Sequence, residues 1–259
     1  MRIMTFNLRF ENDKDGKNSW SNRRGLVVEV IRKYAPCVLG TQEGTRKQLS
    51  YLQDNLPDYL ISAPERIFDA TCQYPTLFYR VAKCGLLSAG EFWLSKTPRQ
   101  HRSKNWDSAF PRMMSYSLLQ DLDANRPFWA VVTHLDHMGA AARREQAKII
   151  AHWVAQKTEP VVLMGDFNAV PGSPVHDLLG SRRTGLRDTW QALGRPEDQA
   201  SMTHHGFAGI PQRGRLDWIM VSEQFRVCRA TIVRDRFQAG YPSDHYPYMV
   251  ELEWRREPV

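Results

Sequence analysis

A chain of 259 residues with 42% hydrophobic and 24% charged residues has the make-up of a soluble globular protein, long enough to bury roughly three quarters of its unfolded surface. The formal net charge of +7 and a pI near 9.3 favour an anionic partner such as a phosphate ester or nucleic acid. No low-complexity tract, linker or repeat is visible, and no apolar run approaches the ~18 residues of a membrane span, so one domain over residues 1–259, monomeric and away from membranes, is expected.

In chain order, "MRIMTFNL" alternates like a strand and lacks the apolar core of a signal peptide, which implies a cytoplasmic protein. Asn18-Ser19 caps a helix expected to run to about Tyr34, with Leu26, Val27, Val30, Ile31 and Tyr34 on one stripe and Pro36 behind it. "CVLGTQE" is a short buried strand that runs out at Glu43. A second amphipathic helix carries Leu49, Leu52 and Leu56, and strand-like runs fill Tyr74 to Leu94.

Residues 95–111 read as a polar, basic loop. "MMSYSLLQDL" and "PFWAVVTHL" flank "DANR" as a β-hairpin. Ala140 to Lys157 is a helix, "PVVLMGDFN" is a strand ending at Asp166, and a Pro/Gly loop follows. The segment from Asp188 to Gln212 is irregular, and three strands close the chain. Many strands with few helices between them predict a sheet-rich α/β sandwich. The cysteines, Cys37, Cys72, Cys84 and Cys228, form no CxxC pair. Cys37, Cys84 and Cys228 lie in or beside apolar runs, which predicts buried free thiols and a reducing compartment.

Polar residues recur where apolar strands stop: Asn7, Glu43, His134, Asp166 with Asn168, and Asp244-His245. Strand ends are where sheet proteins assemble sites. Each residue also has an ordinary reading: Glu43 could cap the following helix, and Asp166–Asn168 could form an Asx turn. Asp217 is harder to dismiss, because a carboxylate inside "RLDWIMV" is costly without a partner. In "YPSDHYP" the prolines restrict the backbone before a strand, which favours a bend that aims Asp244 and His245 at one point.

Taken in order, "FNLR", "GTQE", "THLDH", "GDFNAVPGS", "RLDWIMVS" and "SDHYP" make the chain resemble the endonuclease/exonuclease/phosphatase superfamily from Phe6 to Pro247, within it a compact bacterial branch of metal-dependent hydrolases. The resemblance implies a DNase I-like four-layer α/β/β/α sandwich of two packed, mostly antiparallel sheets, with the site at one end. It also implies roles. Glu43 would be the chief ligand of Mg²⁺ or Mn²⁺, with Asn7 and Asp244 near the same ion. Asp166 and Asn168 would position the attacking water and the phosphate. Asp217 would orient His245, and His134 would sit across the phosphate. Arg9 and Arg112 would contact phosphate, with His137 and Asp136 behind His134. Hard oxygen donors suit these ions, and the ion in turn suits a negatively charged ester. The expected activity is hydrolysis of a phosphodiester, in nucleic acid or a small molecule, with phosphomonoester hydrolysis as the alternative.

Two readings from other classes compete. "THLDHMG" echoes a dinuclear zinc motif to which His204-His205 could add ligands, although its leading histidine is missing. A basic nucleic-acid-binding module without catalysis would fit the charge alone. Specificity is expected from the loops at about 62–74, 95–111 and 192–213.

Overall fold

The first strand, β1 (Arg2–Asn7), is buried from Ile3 onward, as befits a strand covered on both faces. The computed structural model describes residues 1–63, 66–238 and 240–256, so part of the expected 62–74 specificity loop lies outside the described residues. Helix α1 (Trp20–Tyr34) turns Arg23, Val27, Val28, Val30 and Ile31 inward and ends at Ala35 in a left-handed conformation. Strand β2 (Val38–Gly44) leads into α2 (Arg46–Asn55), which Thr45 and Gln48 close with a reciprocal capping box. That cap leaves the Glu43 carboxylate out of the helix terminus.

The first sheet is completed by β3 (Tyr59–Ile61), β4 (Tyr74–Arg80), β11 (Phe225–Ile232) and β12 (Tyr248–Trp254), in the order β11-β12-β1-β2-β4-β3. The second contains β5 (Cys84–Trp93), β6 (Met113–Asp121), β7 (Arg126–His134), β8 (Val161–Asp166), β9 (Arg187–Asp188) and β10 (Asp217–Val221), in the order β5-β6-β7-β8-β10-β9. Only β1–β2 and β7–β8 are parallel; every other described strand pair is antiparallel. Between β7 and β8 runs α3 (Ala140–Val154), the crossover a parallel pair needs.

Period-two alternation divides the apolar side chains among three cores. Met4, Phe6 and Leu39 face α1 and α2, where Val27, Ile31, Leu49 and Leu52 cover them. Ile3, Val38, Leu77 and Val250 meet Ala130, Val132, Val162 and Met164 between the sheets. Val131, Leu163 and Met220 pack under Ile150, Val154 and Leu179. The result is the expected four-layer α/β/β/α sandwich.

Some expectations are corrected. The Pro/Gly stretch after Asp166 holds a short helix, α4 (Pro174–Leu179), capped by Ser173 with proline at its first turn. The strand-like run from Tyr74 to Leu94 does form two strands, β4 and β5, and they belong to different sheets. Cys84 is buried, but Cys37 and Cys228 are only half-buried, since their strands lie near a sheet end or edge; all four thiols are free. No helix among the described residues is long and apolar enough to cross a membrane.

Candidate active site

Strands β1, β2, β7 and β8 finish at one end of the sandwich, and the antiparallel partners β10 and β12 begin there. Topology therefore brings Asn7, Glu43, His134, Asp166, Asp217, Asp244 and His245 together. Within the second sheet the register puts His134 beside Asp166 on one side and Asp217 beside it on the other. Glu43 sits where β2 loses register with β4, in a left-handed conformation at φ 63°. Such a bulge re-aims a side chain at a sheet end, and its strain is tolerated where neighbours fix it. Arg9 (φ 52°) and Asn168 (φ 47°) carry the same strain. Gly165, at φ 157°, is required: a Cβ there would lie 2.2 Å from the Thr133 carbonyl oxygen.

Asp166 is at the centre. Asn7 Nδ2 donates to Asp166 Oδ2 at 2.9 Å and to Glu43 Oε1 at 3.2 Å. The amide oxygen of Asn7 accepts from Arg9 N at 2.9 Å, so its NH₂ faces the two carboxylates. Asn7 thus links Glu43 and Asp166, and the carboxylates of Glu43 and Asp244 and the remaining lone pair of the Asn7 oxygen are candidate donors for an ion. Glu43 Oε2 is steadied by the Phe10 N–H at 3.0 Å. These hard donors, set beside the further carboxylates of Asp166 and Asp217, suit a divalent cation.

Asp166 Oδ1 accepts from Asn168 N at 2.9 Å, so the Asx turn forms as well. Asn168 Nδ2 donates to the Leu135 carbonyl and to His134 Nε2, both at 3.0 Å. Burial, with Arg112 and His245 nearby, pushes His134 well below the usual histidine range, so it is neutral. Burial, with Asp217 adding to it, raises the carboxyl of Asp166 to about 7.

His245 Nδ1 donates to Asp217 Oδ2 at 2.8 Å, and its Nε2 faces Asp166 Oδ2 at 3.8 Å. Burial opposes charge on this ring, but Asp217, with Asp166 and Asp244 beyond it, outweighs burial and lifts the pKa to about 10. The carboxylate in the apolar strand has therefore found its partner. Asp244 is half-buried, with Arg9 Nε 3.9 Å away.

The arginines divide. Arg9 is engaged by Asp15 through hydrogen bonds of 3.0 and 2.9 Å while its Nε stays 3.9 Å from Asp244 Oδ2, at the edge of the centre. Arg112 is buried, lies 3.6 Å from Asp136 Oδ2 and donates to His137 Nδ1 at 3.2 Å. It lines a cavity of ≈ 130 Å³ with Glu43, His134, Trp93, Phe110 and Arg102.

Three positioning residues escaped the sequence reading. Buried Arg23 donates to the carbonyls of Leu8, Arg9, Asn18 and Pro242, tying the exit of β1 to the Asp244 turn. Its place on the α1 stripe, four residues before Val27, was the available signal. Thr203 Oγ1 accepts from the backbone N–H groups of Leu216 (3.0 Å) and Asp217 (3.2 Å). Ser243 Oγ donates to the Asn7 carbonyl at 2.7 Å. Nothing local marks Thr203; Ser243 lies within "SDHYP", but nothing in that run indicates its bond to Asn7.

The rival zinc arrangement is not assembled: His137 accepts from Arg112 and stacks on Phe110, and no ligand group among the described residues joins it to His134. His204 does approach the centre, within 4.8 Å of ligand atoms of Asp244 and His245.

The sequence profile of the Endonuclease/Exonuclease/phosphatase family matches residues 4–245, a span that contains every residue placed above. The chain belongs to that family. Among solved members of similar structure is a mannosyl-6-phosphatase of Bacteroides thetaiotaomicron VPI-5482, 27% identical, with a TM-score of 0.87 and coverage of 98% of this chain and 100% of that one. A family protein from Bacteroides vulgatus is 28% identical with a TM-score of 0.88, covering 98% of each chain. TDP2 of D. rerio, solved with a single-strand DNA product, shares the fold at 16% identity and a TM-score of 0.79, over 98% of each chain. No curated protein matches the sequence. Endonuclease/exonuclease/phosphatase enzymes are phosphoric ester hydrolases that use divalent metals.

Proposed function

We propose that this protein is a Mg²⁺- or Mn²⁺-dependent phosphodiesterase. One observation carries the choice of a diester. The centre opens on two sides: the ≈ 130 Å³ cavity lies beyond His134, and a second of ≈ 660 Å³ begins at Asn168. A diester has two substituents to house and a monoester one. Held by Glu43 and Asp244, the ion would polarise the phosphoryl oxygens and offset the charge that builds on them.

The chain's own groups do the rest. Asp166, held by Asn7 and by the Asn168 N–H, accepts a proton from the attacking water. Asn168, whose amide hydrogens are held by Leu135 and His134, leaves its oxygen to accept from water, and it braces the neutral His134 ring beside Asp166. His245, kept cationic by Asp217, faces the phosphate oxygens. Arg112 neutralises charge from the side of the smaller cavity.

The purified protein should hydrolyse bis-p-nitrophenyl phosphate faster than p-nitrophenyl phosphate with Mg²⁺ or Mn²⁺, and stop in EDTA. Glu43→Gln should lower turnover by more than about 10²-fold, since even groups behind metal ligands cost 10–100-fold. It should also weaken Mn²⁺ binding by calorimetry. Metal-independent turnover, or a Glu43→Gln enzyme like wild type, would refute the assignment. A second reading, phosphomonoester hydrolysis, is favoured by the small size of the first cavity and by the 27%-identical mannosyl-6-phosphatase. Preference for the monoester in the same assay would select it.

A further inference from the structure

The larger cavity differs in character from the centre it adjoins. His137, Arg143, Arg144, Ser173 and Arg213 ring an apolar floor of Ala140, Ala141, Ala169, Val170 and Leu216, and no carboxylate among the described residues lines it. A few ångströms away the centre is crowded with acids. The wall between the two cavities consists of two bonded pairs, Arg112–His137 (3.2 Å) and His134–Asn168 (3.0 Å). Asn168, whose N–H bonds Asp166 at 2.9 Å, also lines the basic cavity, so that cavity begins at the edge of the centre.

Its cations are unequal. Arg143 is tied to the Asp136 carbonyl at 2.9 Å. Arg144 and Arg213 are exposed and have neither a carboxylate nor a hydrogen-bond partner among the described residues. Arg213 is presented by a tight loop. Its own φ is 67°, and the following Gly214, at φ 85°, approaches Val170 so closely that a Cβ would lie 2.6 Å from Val170 Cγ1. The charge of Arg213 reaches His204, the neighbour of His245. The start of α3 contributes little here, because Asp107 already accepts from Ala142 N at 2.6 Å.

We propose that this cavity is a subsite for a second phosphate of the substrate, held by Arg144 and Arg213 while the scissile phosphate lies at Glu43, Asp166 and His245. The inference rests on the hydrolase reading above and narrows the substrate to a compound with an anionic group beyond the bond that is cut. An unpaired guanidinium is suited to that task, since it binds phosphate oxygens through paired N–H donors. A nucleotide chain and a small bisphosphate both supply this chemistry.

The test compares matched substrates: thymidylyl-thymidine with and without a terminal phosphate, and a hexose monophosphate with its bisphosphate. In at least one pair, wild type should prefer the more highly phosphorylated member by about tenfold or more in kcat/KM. Arg144→Ala/Arg213→Ala should bring that ratio close to one, and Lys148→Ala/Arg226→Ala, with the same loss of charge, should keep the wild-type ratio. In EDTA, the arginine variant should bind a fluorescent oligothymidylate more weakly and with a flatter salt dependence if nucleotides are the source. The pair that shows the preference identifies the source. No preference in either pair, or one that survives in the arginine variant, overturns the subsite. Failure of the wild type to hydrolyse bis-p-nitrophenyl phosphate with either metal would instead overturn the underlying function.

Discussion

Replacing Asp217 by asparagine and by alanine measures what the buried carboxylate does for His245. The 2.8 Å bond from His245 Nδ1 to Asp217 Oδ2 is buried at both ends, with residue exposures of 6% and 1%. Asparagine keeps an acceptor oxygen and removes the charge. A hydrogen bond to a charged group contributes about 1.5–3 kcal/mol, and a neutral one about 1 kcal/mol. The difference, about 0.5–2 kcal/mol, corresponds to roughly 2- to 30-fold in rate at about 1.4 kcal/mol per tenfold. Alanine leaves a buried imidazolium unpaired, which costs about 3–5 kcal/mol, or roughly 10²- to 10⁴-fold if the whole loss falls on the transition state. The asparagine amide also carries an N–H₂ into the place of Asp217 Oδ1, which has no partner among the described residues, so a modest stability loss should accompany the rate effect. The assay is kcat/KM on bis-p-nitrophenyl phosphate with saturating Mn²⁺, beside thermal unfolding of each variant. Asp217→Ala combined with His245→Ala should be little slower than the worse single variant, because the two residues act as a unit. Multiplying losses would show that Asp217 acts apart from His245 and refute the reasoning.

Thr203→Val, nearly isosteric, leaves the N–H groups of Leu216 and Asp217 without their acceptor, so it should lower stability by about 1–3 kcal/mol and reduce kcat more than it raises KM; denaturant titration beside steady-state kinetics checks both. Gly165→Ala forces a side chain into the Thr133 carbonyl and should cost about 3 kcal/mol or more; an unfolding midpoint within experimental error of wild type would count against the described β7–β8 approach. Burial raises the carboxyl of Asp188, but hydrogen bonds from His176 and Arg215 prevail and hold it below the usual range. A carboxyl lowered by folding adds stability that is complete above its unfolded pKa of about 3.9 and drains away as pH falls through the folded value. The unfolding free-energy gap between wild type and Asp188→Asn should therefore be constant near neutrality and narrow below about pH 4; a gap that widens in acid reverses the sign argued here.

Much of the architecture is written in local pattern. Alternation in β1 and in the β6–β7 hairpin, the α1 and α3 stripes, and the closing three strands follow from side-chain periodicity, which each segment carries within itself. The polar residues at strand ends are equally local, and so is the cost of Asp217 in an apolar strand, which called for a partner before any partner was visible. Tertiary structure decided what depends on residues far apart in the chain. It assigned β4 and β5 to different sheets, because pairing choice belongs to neighbours and not to the strands themselves. It linked Asn7 to Glu43 and Asp166 by supplying Arg9 N to its oxygen, and it paired Arg9 with Asp15. Arg23 looked like one more surface charge until four carbonyls from three segments closed around it. The sequence also contained Arg144 and Arg213, but 69 residues apart by number. Only folding sets them around one cavity and leaves both without a carboxylate among the described residues, since electrostatic pairing is decided by distance in space.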